Sequence, residues 1–301
     1  MSEKTPAQPP FPWYYRPLQG LLLGLAHLPL PVLHGLADGL YLLMRFGLRY
    51  RQRVVLQNLR NSFPDKPEAE IRRLQHGFYR HFADVIVEIL KLAAISPAEM
   101  RRRVQIHNLE LFERHFAAGR MVLALGSHIG NWEWILPAGA VYFPGKADGV
   151  YKPLHNPFFE HFMLQLRTHT GARLIPMRDT LRDMVRLRGQ PRSLSMLSDQ
   201  SPGGPEQTYW TEFLHQDTAF YTSADKLAAQ FGCPVLYVNI VRRRRGYYDL
   251  TVEELHDGQT PLEKGSHTIT EAFARRVERD IRAQPADYLW SHRRWKNKRN
   301  G

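Results

Sequence analysis

After residue 121 the chain alternates short apolar runs with longer amphipathic ones, and this alternation constrains the fold most. Strands are predicted at Ala147–Tyr151, Arg173–Pro176, Ser193–Ser198, Pro234–Val241 and Tyr248–Glu253. Helices are predicted at Pro157–Thr170, Thr180–Arg188, Ser223–Phe231 and His267–Ala283. Such alternation favours helices packed on a largely parallel sheet. We expect an α/β fold, a single layered domain with a mostly parallel central sheet flanked by helices, plus N-terminal membrane-associating helices.

The stretch Met121–Trp134, with the sequence MVLALGSHIGNWEW, lies at the start of this alternation. Its first five residues are apolar and end at Gly126, which predicts a short buried strand. His128 then falls in the link, and a helix is predicted from Asn131 through Ala140. Glu133 lies in the first turn of that helix, where the positive end of the helix dipole suits a carboxylate.

His128 and Glu133 are therefore a candidate catalytic pair. A carboxylate beside an imidazole fixes its tautomer and stabilises the imidazolium that forms when the imidazole takes a proton. The alternative is a structural histidine in a loop, with Glu133 only capping a helix. A zinc site is disfavoured because the sequence has no HExxH motif and no Cys/His cluster. We predict a general base and no metal.

The N-terminal region differs in composition from the rest of the chain. No Asp, Glu, Lys or Arg occurs in Leu18–Ala37, which nearly reaches the roughly 20 apolar residues that a bilayer crossing needs. Pro29 and Pro31 interrupt the run, so two short helices lying in a membrane interface are favoured over one span. We divide the chain into a disordered tail at 1–17, a membrane-associating hydrophobic segment at 18–48 and an α/β domain at 49–301.

The charge of the chain restricts its partners. The sequence has 41 Lys and Arg against 29 Asp and Glu, a formal net charge of +12 and a pI near 9.9. This charge favours an anionic partner, which includes nucleic acid, an anionic membrane surface or an acidic protein. The single Cys233 excludes an intramolecular disulfide and suits a reducing cytoplasmic compartment. No cleavable secretory signal is expected, because residues 1–17 are polar and Pro-rich.

Two further polar residues follow predicted strands. Lys152 comes directly after one strand, near where ligands collect in parallel sheets. Asp199 ends another and leads into a Ser-Pro-Gly-Gly-Pro loop, where it either holds a polar group of a substrate or braces a catalytic element. The alternatives are an exposed lysine and a loop-capping aspartate. The run Arg242–Arg245 is expected to be a solvated loop.

The segment SHIGNWEW, at Ser127–Trp134, resembles the His-(x)4-Asp/Glu motif of the lysophospholipid acyltransferase superfamily. It most resembles the lipid A biosynthesis (lauroyl/myristoyl) acyltransferases, which use the glutamate form. The resemblance covers most of the chain, with further matches in the following segments: RQRVVLQNLRNSFP at Arg51–Pro64, VYKPLHNP at Val150–Pro157, SDQ at Ser198–Gln200, FYTSADKLAAQFGCPV from Phe220 and YLWSHRRWK from Tyr288.

This resemblance implies transfer of a fatty acyl group from an acyl carrier protein to a hydroxyl of a lipid A precursor. It places the protein at the cytoplasmic face of a bacterial inner membrane, with an anionic membrane surface as partner and no cofactor. His128 and Glu133 would be catalytic, and Asn131, Lys152 and Asp199 would bind substrate, Asn131 as a candidate donor to the developing oxyanion. The family commonly has Arg where this chain has Lys152, so the charge stays but the bidentate fork is lost.

Other functions remain open at this point. The acceptor is either a lipid A precursor or another lipid, such as a phosphoinositide mannoside or an amino-acid lipid. A non-catalytic membrane scaffold is a third reading. Nucleic-acid binding rests on charge alone, and since no recognisable module accompanies it we expect no nucleic-acid partner. Because there is no GxSxG motif and Cys233 begins an apolar strand, we expect direct transfer without an acyl-enzyme.

Overall fold

The computed structural model describes residues 12–204, 208–263 and 265–299. The strands of this part of the chain are β1 Val104–His107, β2 Val122–Gly126, β3 Ala147–Tyr151, β4 Arg173–Pro176, β5 Ser193–Leu197, β6 Thr208–Phe213, β7 Gln216–Tyr221, β8 Val235–Arg244 and β9 Tyr247–His256. The helices are α1 Arg16–Ala26, α2 Leu30–Leu42, α3 Gln52–Ser62, α4 Glu68–Lys91, α5 Pro97–Arg103, α6 Glu110–Ala117, α7 Ile135–Tyr142, α8 Pro157–Thr168, α9 Thr180–Arg186, α10 Ser223–Phe231 and α11 Thr268–Ala283.

Seven strands form one sheet in the order β1-β9-β8-β2-β5-β3-β4. Strands β8, β2, β5, β3 and β4 are mutually parallel, whereas β9 runs antiparallel to β8 and carries β1 parallel to itself. Every residue of β2, at the centre, is buried. A strand covered on both faces reads as a continuous apolar run, and this is the pattern of Val122–Leu125. The predicted mostly parallel sheet flanked by helices is confirmed.

The sequence did not predict β1 or the separate β6–β7 hairpin. The turn of that hairpin is Leu214–His215, and both residues have positive φ, 53° and 61°. Such turns normally contain Asn or Gly, so a turn built from leucine and histidine gives no sequence signal. Strand β1 has only four residues and directly follows α5, which conceals it.

The predicted division of the N-terminal region into two helices is confirmed, with Pro29 as the N-cap of α2, whereas their predicted membrane association is not. These helices nevertheless belong to the core of the domain. Leu30 and Leu33 of α2 are buried in the main apolar cluster. Lys91 of α4 donates to the carbonyl groups of Ala26 (3.2 Å) and Leu28 (3.1 Å). The proposed boundary at 48 therefore does not separate the segment from the domain, because deleting α2 would uncover the core.

The predicted disordered tail at 1–17 is wrong for its last residues. Trp13–Tyr15 form a short 3-10 helix and α1 begins at Arg16. Tyr15 packs against Phe158 of α8, with ring centroids 5.2 Å apart, and this aromatic contact fixes the entry into α1. The remainder of the predicted tail, residues 1–11, lies outside the described residues.

The outer face of the N-terminal region is strongly apolar. Within the described residues, no helix combines the length and the apolar composition that a membrane crossing requires. Of the seventeen exposed large apolar side chains in the described part of the chain, ten nevertheless lie between residues 13 and 48. They are Trp13, Tyr14, Leu18, Leu21, Val32, Leu36, Leu42, Leu43, Phe46 and Leu48. This concentration of exposed apolar side chains is a candidate interaction surface.

Candidate active site

The candidate site lies where β2 and β5 end side by side. These strands are parallel neighbours, and the ladder extends past their ends, since Ser198 N donates to Gly126 O at 3.1 Å. His128 follows β2 by two residues and Asp199 follows β5 by two. Adjacent parallel strands present their carboxyl ends at one edge, the usual location of sites in such sheets. The strand order therefore brings His128 and Asp199 together.

Asp199 binds both the ring and the backbone of His128. Its Oδ1 lies 2.7 Å from His128 Nδ1, and its Oδ2 accepts from His128 N at 3.1 Å. The Asp199 side chain is 1% exposed and that of His128 is 13% exposed. Because the carboxylate is an acceptor only, Nδ1 carries a proton, and in the neutral ring Nε2 then has the lone pair. This tautomer is the one that a general base requires.

Asp199 is ionised despite its burial. Burial opposes ionisation, but the charge of His128 and its two hydrogen bonds outweigh burial and hold the pKa of Asp199 below the ordinary value. Tyr288 also hydrogen-bonds to this carboxylate, and burial together with the Asp199 charge raises the Tyr288 pKa. Burial lowers the pKa of nearby His292 to about 4, so this second histidine is neutral at pH 7. His292 therefore adds no positive charge beside Asp199 at pH 7.

The loop that carries His128 is held on several sides. Leu289 N donates to His128 O and Gly130 N donates to Asp287 O, each at 3.0 Å. His81, buried on α4, hydrogen-bonds to Gly130 O through Nε2 at 3.1 Å. Gly130 itself has φ +58°, and a Cβ there would lie 2.2 Å from Ile240 O. Only glycine fits this close approach to β8, which explains its place in the motif.

Asn131 lies in a buried network around Glu88, which argues against its predicted role in substrate binding. Its side chain is fully buried, and Nδ2 donates to Glu88 Oε2 at 2.7 Å. The same carboxylate accepts from Tyr248 OH at 2.6 Å and lies 2.9 Å from His34 Nε2. The network joins α2, α4, β9 and the His128 loop. Asn131 therefore anchors the loop, because a carboxylate buried at this depth requires its donors.

Glu133 does not hold the His128 ring, so the predicted role as its orienting partner is wrong. Its carboxylate pairs with both nitrogens of the Arg167 fork, at 2.8 and 2.7 Å. Residues 132–134 form a 3-10 turn before α7 instead of the first turn of a longer helix. Within it Trp134 is fully buried and donates from Nε1 to Glu88 O at 2.9 Å. This anchor fixes the turn so that Glu133 meets α8.

Lys152 and Gln200 follow the neighbouring strands β3 and β5. Lys152 lies exposed directly after β3, the neighbour of β5, and forms no hydrogen bond within the described residues. Gln200 was not selected from the sequence, although it belongs to the SDQ match. Its Nε2 lies 3.1 Å from His128 Nε2. The two ring nitrogens of His128 are thus held by consecutive residues, Asp199 and Gln200.

Comparison with known proteins agrees with this geometry. The family model described as bacterial lipid A biosynthesis acyltransferase matches residues 13–297. The chain is similar to the lipid A biosynthesis lauroyltransferase of Escherichia coli K12, at 26% identity over 289 residues, 94% of this chain and 91% of that protein. It is also similar to the lipid A biosynthesis palmitoleoyltransferase of the same strain and to a lipid A biosynthesis acyltransferase of Shigella flexneri, each at 23% identity over 281 residues, 93% of this chain and 90% of theirs. The chain is an O-acyltransferase and belongs to the bacterial lipid A biosynthesis acyltransferase family.

Proposed function

We propose that the protein transfers a fatty acyl chain from an acyl-carrier-protein thioester to a hydroxyl of a lipid A precursor, with His128 as general base. The observation that carries the catalytic part is the 2.7 Å contact between His128 Nδ1 and the buried Asp199 carboxylate. It leaves an unprotonated Nε2 in the 13% exposed ring of His128. A neutral imidazole in this state accepts a proton from a positioned hydroxyl.

The reaction then proceeds in two steps in one ternary complex. His128 Nε2 takes the hydroxyl proton while the acceptor oxygen attacks the thioester carbonyl, and Asp199 stabilises the imidazolium. The tetrahedral oxyanion collapses, the carbon–sulfur bond breaks, and the imidazolium returns its proton to the thiolate. Cys233 takes no part, because it is 4% exposed and burial raises the pKa of its thiol to about 11. A protonated thiol is a poor nucleophile.

Glu133 keeps a place in the proposed site, but it acts through Arg167. The side chains are 12% and 21% exposed and form a bidentate pair, the strongest geometry for this interaction. Burial would lower the pKa of Arg167, yet the Glu133 charge and hydrogen bonds raise it. Arg167 also lies near Tyr151, at the end of β3, one residue before Lys152. We infer that Lys152 and Arg167 provide positive charge for substrate binding near the carboxyl end of β3.

The basic surface supports an anionic donor and acceptor. A cavity of about 540 Å³, here called the arginine groove, is lined by Arg73 and Arg242–Arg245. Arg242 and Arg245 pair with Asp287 and Asp84, at 2.9 and 2.6 Å. Among the described residues Arg73 and Arg244 have no carboxylate partner. Unpaired arginines favour acidic partners, and both an acidic carrier protein and a phosphorylated glycolipid qualify.

The N-terminal region is proposed to bring the site to the inner membrane. Its exposed apolar residues meet the need of an enzyme whose acceptor cannot leave the bilayer, since each buried CH₂ is worth ~0.8 kcal/mol. Within residues 12–48 the charged residues are only Arg16, Asp38 and Arg45. Asp38 is neutralised by Arg245, at 2.7 Å. An apolar surface with little negative charge suits peripheral contact with an anionic leaflet.

Charged substitutions on this surface are expected to separate membrane contact from chemistry. Leu21→Glu with Phe46→Glu changes side chains that are 61% and 57% exposed, so the core should be unaffected. We expect lower recovery on anionic vesicles and slower transfer to a bilayer-embedded acceptor. Transfer to a detergent-dispersed acceptor should change little. Val185→Glu, at a 60% exposed residue of α9, is the matched control. Equal losses in bilayer and detergent would contradict the membrane role.

The proposed reaction is tested by mass spectrometry of the lipid product. The purified protein is incubated with a series of acyl-carrier-protein thioesters and a lipid A precursor in detergent. We expect the acceptor to gain one acyl chain through an ester, with loss of one carrier thioester for each ester formed. Parallel reactions contain a phosphoinositide mannoside or an amino-acid lipid. Acylation of one of these acceptors, with none of the lipid A precursor, would refute the proposed acceptor.

A further inference from the structure

Gln200 occupies the position in which the nucleophile of a general-base reaction must bind. Its side-chain amide nitrogen lies 3.1 Å from His128 Nε2. With Nδ1 protonated toward Asp199, Nε2 is an acceptor, and the amide of Gln200 is the donor that fills its lone pair. In this state the Gln200 amide occupies the lone pair of His128 Nε2, so this nitrogen can accept a substrate proton only after Gln200 moves.

A hydroxyl that delivers its proton to Nε2 must lie at about 2.6–3.2 Å from it. This is the range in which the Gln200 amide lies at rest, so an acceptor hydroxyl displaces that amide. Gln200 is only partly buried, and its side chain has rotatable bonds for a short withdrawal. Its backbone remains fixed, because Asp199 before it is bound to His128 and Ser201 after it hydrogen-bonds to Arg294 O. A short withdrawal leaves the amide beside the incoming oxygen.

We propose that Gln200 binds the acceptor hydroxyl and donates to its oxygen while His128 takes the proton. The inference rests on the proposed general-base role of His128. A hydroxyl has one proton to give and two lone pairs to share, so it can donate to Nε2 and accept from Gln200 together. As the proton moves to His128, negative charge develops on the acceptor oxygen. The hydrogen bond from Gln200 then becomes charge-assisted and stronger.

The strengthening of the Gln200 hydrogen bond in the transition state determines which kinetic parameter Gln200 affects. A contact that strengthens in the transition state contributes to kcat, whereas one of constant strength contributes to KM alone. Gln200→Ala should therefore lower kcat about 10- to 100-fold, the range for losing one hydrogen bond to a charged group. Gln190→Ala is the matched control, since this exposed glutamine precedes the amino-terminal end of β5, whereas Gln200 follows its carboxyl end. It should leave kcat unchanged.

Gln200→Glu provides a readout that a purely structural role would not change. The carboxylate keeps the size of the side chain but has no proton to donate near neutral pH. It should lower kcat at least as much as Gln200→Ala. In addition, a negative charge beside Nε2 favours the imidazolium, so the base stays protonated to higher pH. The acidic limb of the pH–rate profile should move to higher pH in Gln200→Glu and stay in place in Gln200→Ala.

The measurements are kcat and KM for the acceptor across pH, on folded variants with unchanged melting temperature. Full kcat in Gln200→Ala, or a loss confined to KM, would overturn the inference. An unmoved acidic limb in Gln200→Glu would do the same. His128→Ala, assayed alongside, keeps the two proposals distinguishable. If it is inactive while Gln200→Ala has full kcat, the inference on Gln200 alone fails. If it has normal activity, the general-base role fails first.

Discussion

Replacing His128 with alanine should lower kcat for acyl transfer about 10²- to 10⁴-fold, the contribution of a positioned general base. The chemical step loses the group that we propose takes the acceptor proton. The fold should survive, because His128 follows the end of β2 and the loop keeps its backbone bonds to Leu289 and Asp287. Circular dichroism and a melting curve check folding, and a carrier-thioester assay gives the rate.

The chain contains a matched control for this substitution. His107 and Asp249 form another histidine–aspartate pair, with Nε2 and Oδ1 2.8 Å apart. The His107 side chain is 52% exposed and lies at the end of edge strand β1. His107→Ala should leave the rate unchanged. If both substitutions have similar effects, or if folded His128→Ala transfers at the wild-type rate, His128 is not the base.

Asp199→Asn should lower kcat within the same range of about 10²- to 10⁴-fold, and by no more than His128→Ala. An asparagine amide donates where the carboxylate accepts, so it favours the tautomer with Nδ1 unprotonated. The proton then lies on Nε2, so this nitrogen has no lone pair with which to take the proton of the acceptor hydroxyl. KM for the acceptor should change little, since the Asp199 side chain is 1% exposed and its carboxylate is bound to His128.

Glu133→Gln and Asp249→Asn are the comparisons for this prediction. Glu133→Gln breaks the bidentate pair with Arg167 but leaves the His128 tautomer intact, so the acidic limb of its pH–rate profile should match the wild type. Asp249→Asn should leave kcat unchanged. Because Asp199→Asn also removes a charge near buried Arg294, rates are compared at temperatures where each variant is folded. A shifted profile in Glu133→Gln beside a normal Asp199→Asn would restore the role first assigned to Glu133.

Much of the fold was predictable because its signals are local. The apolar run before Gly126 and the alternation after residue 121 determine β2 and the parallel part of the sheet. They also place His128, Lys152 and Asp199 at strand ends, whereas Gln200, which lies 3.1 Å from His128 Nε2, was not predicted. Pro29 and Pro31 likewise divided the N-terminal region into two helices. In each case a residue determines the secondary structure of the residues next to it in the sequence.

The partner of His128 was not predictable, because it depends on strand order. Asp199 meets His128 only because β5 lies beside β2, and no local pattern specifies that neighbour. Proximity in sequence favoured Glu133, but the burial of Trp134 turns Glu133 toward α8. The burial of Asn131 is equally non-local, since it follows from Glu88 on a helix 43 residues earlier.

The most direct test of the His128–Asp199 pair is kcat of the double variant His128→Ala with Asp199→Asn, measured beside both single variants. Groups that act as one unit have non-additive effects on rate. If Asp199 acts only through the imidazole, it has nothing left to orient once His128 is alanine. The double variant should then transfer acyl groups as fast as His128→Ala alone. A further loss equal to the factor of Asp199→Asn would contradict the mechanism, because the two residues would then act independently.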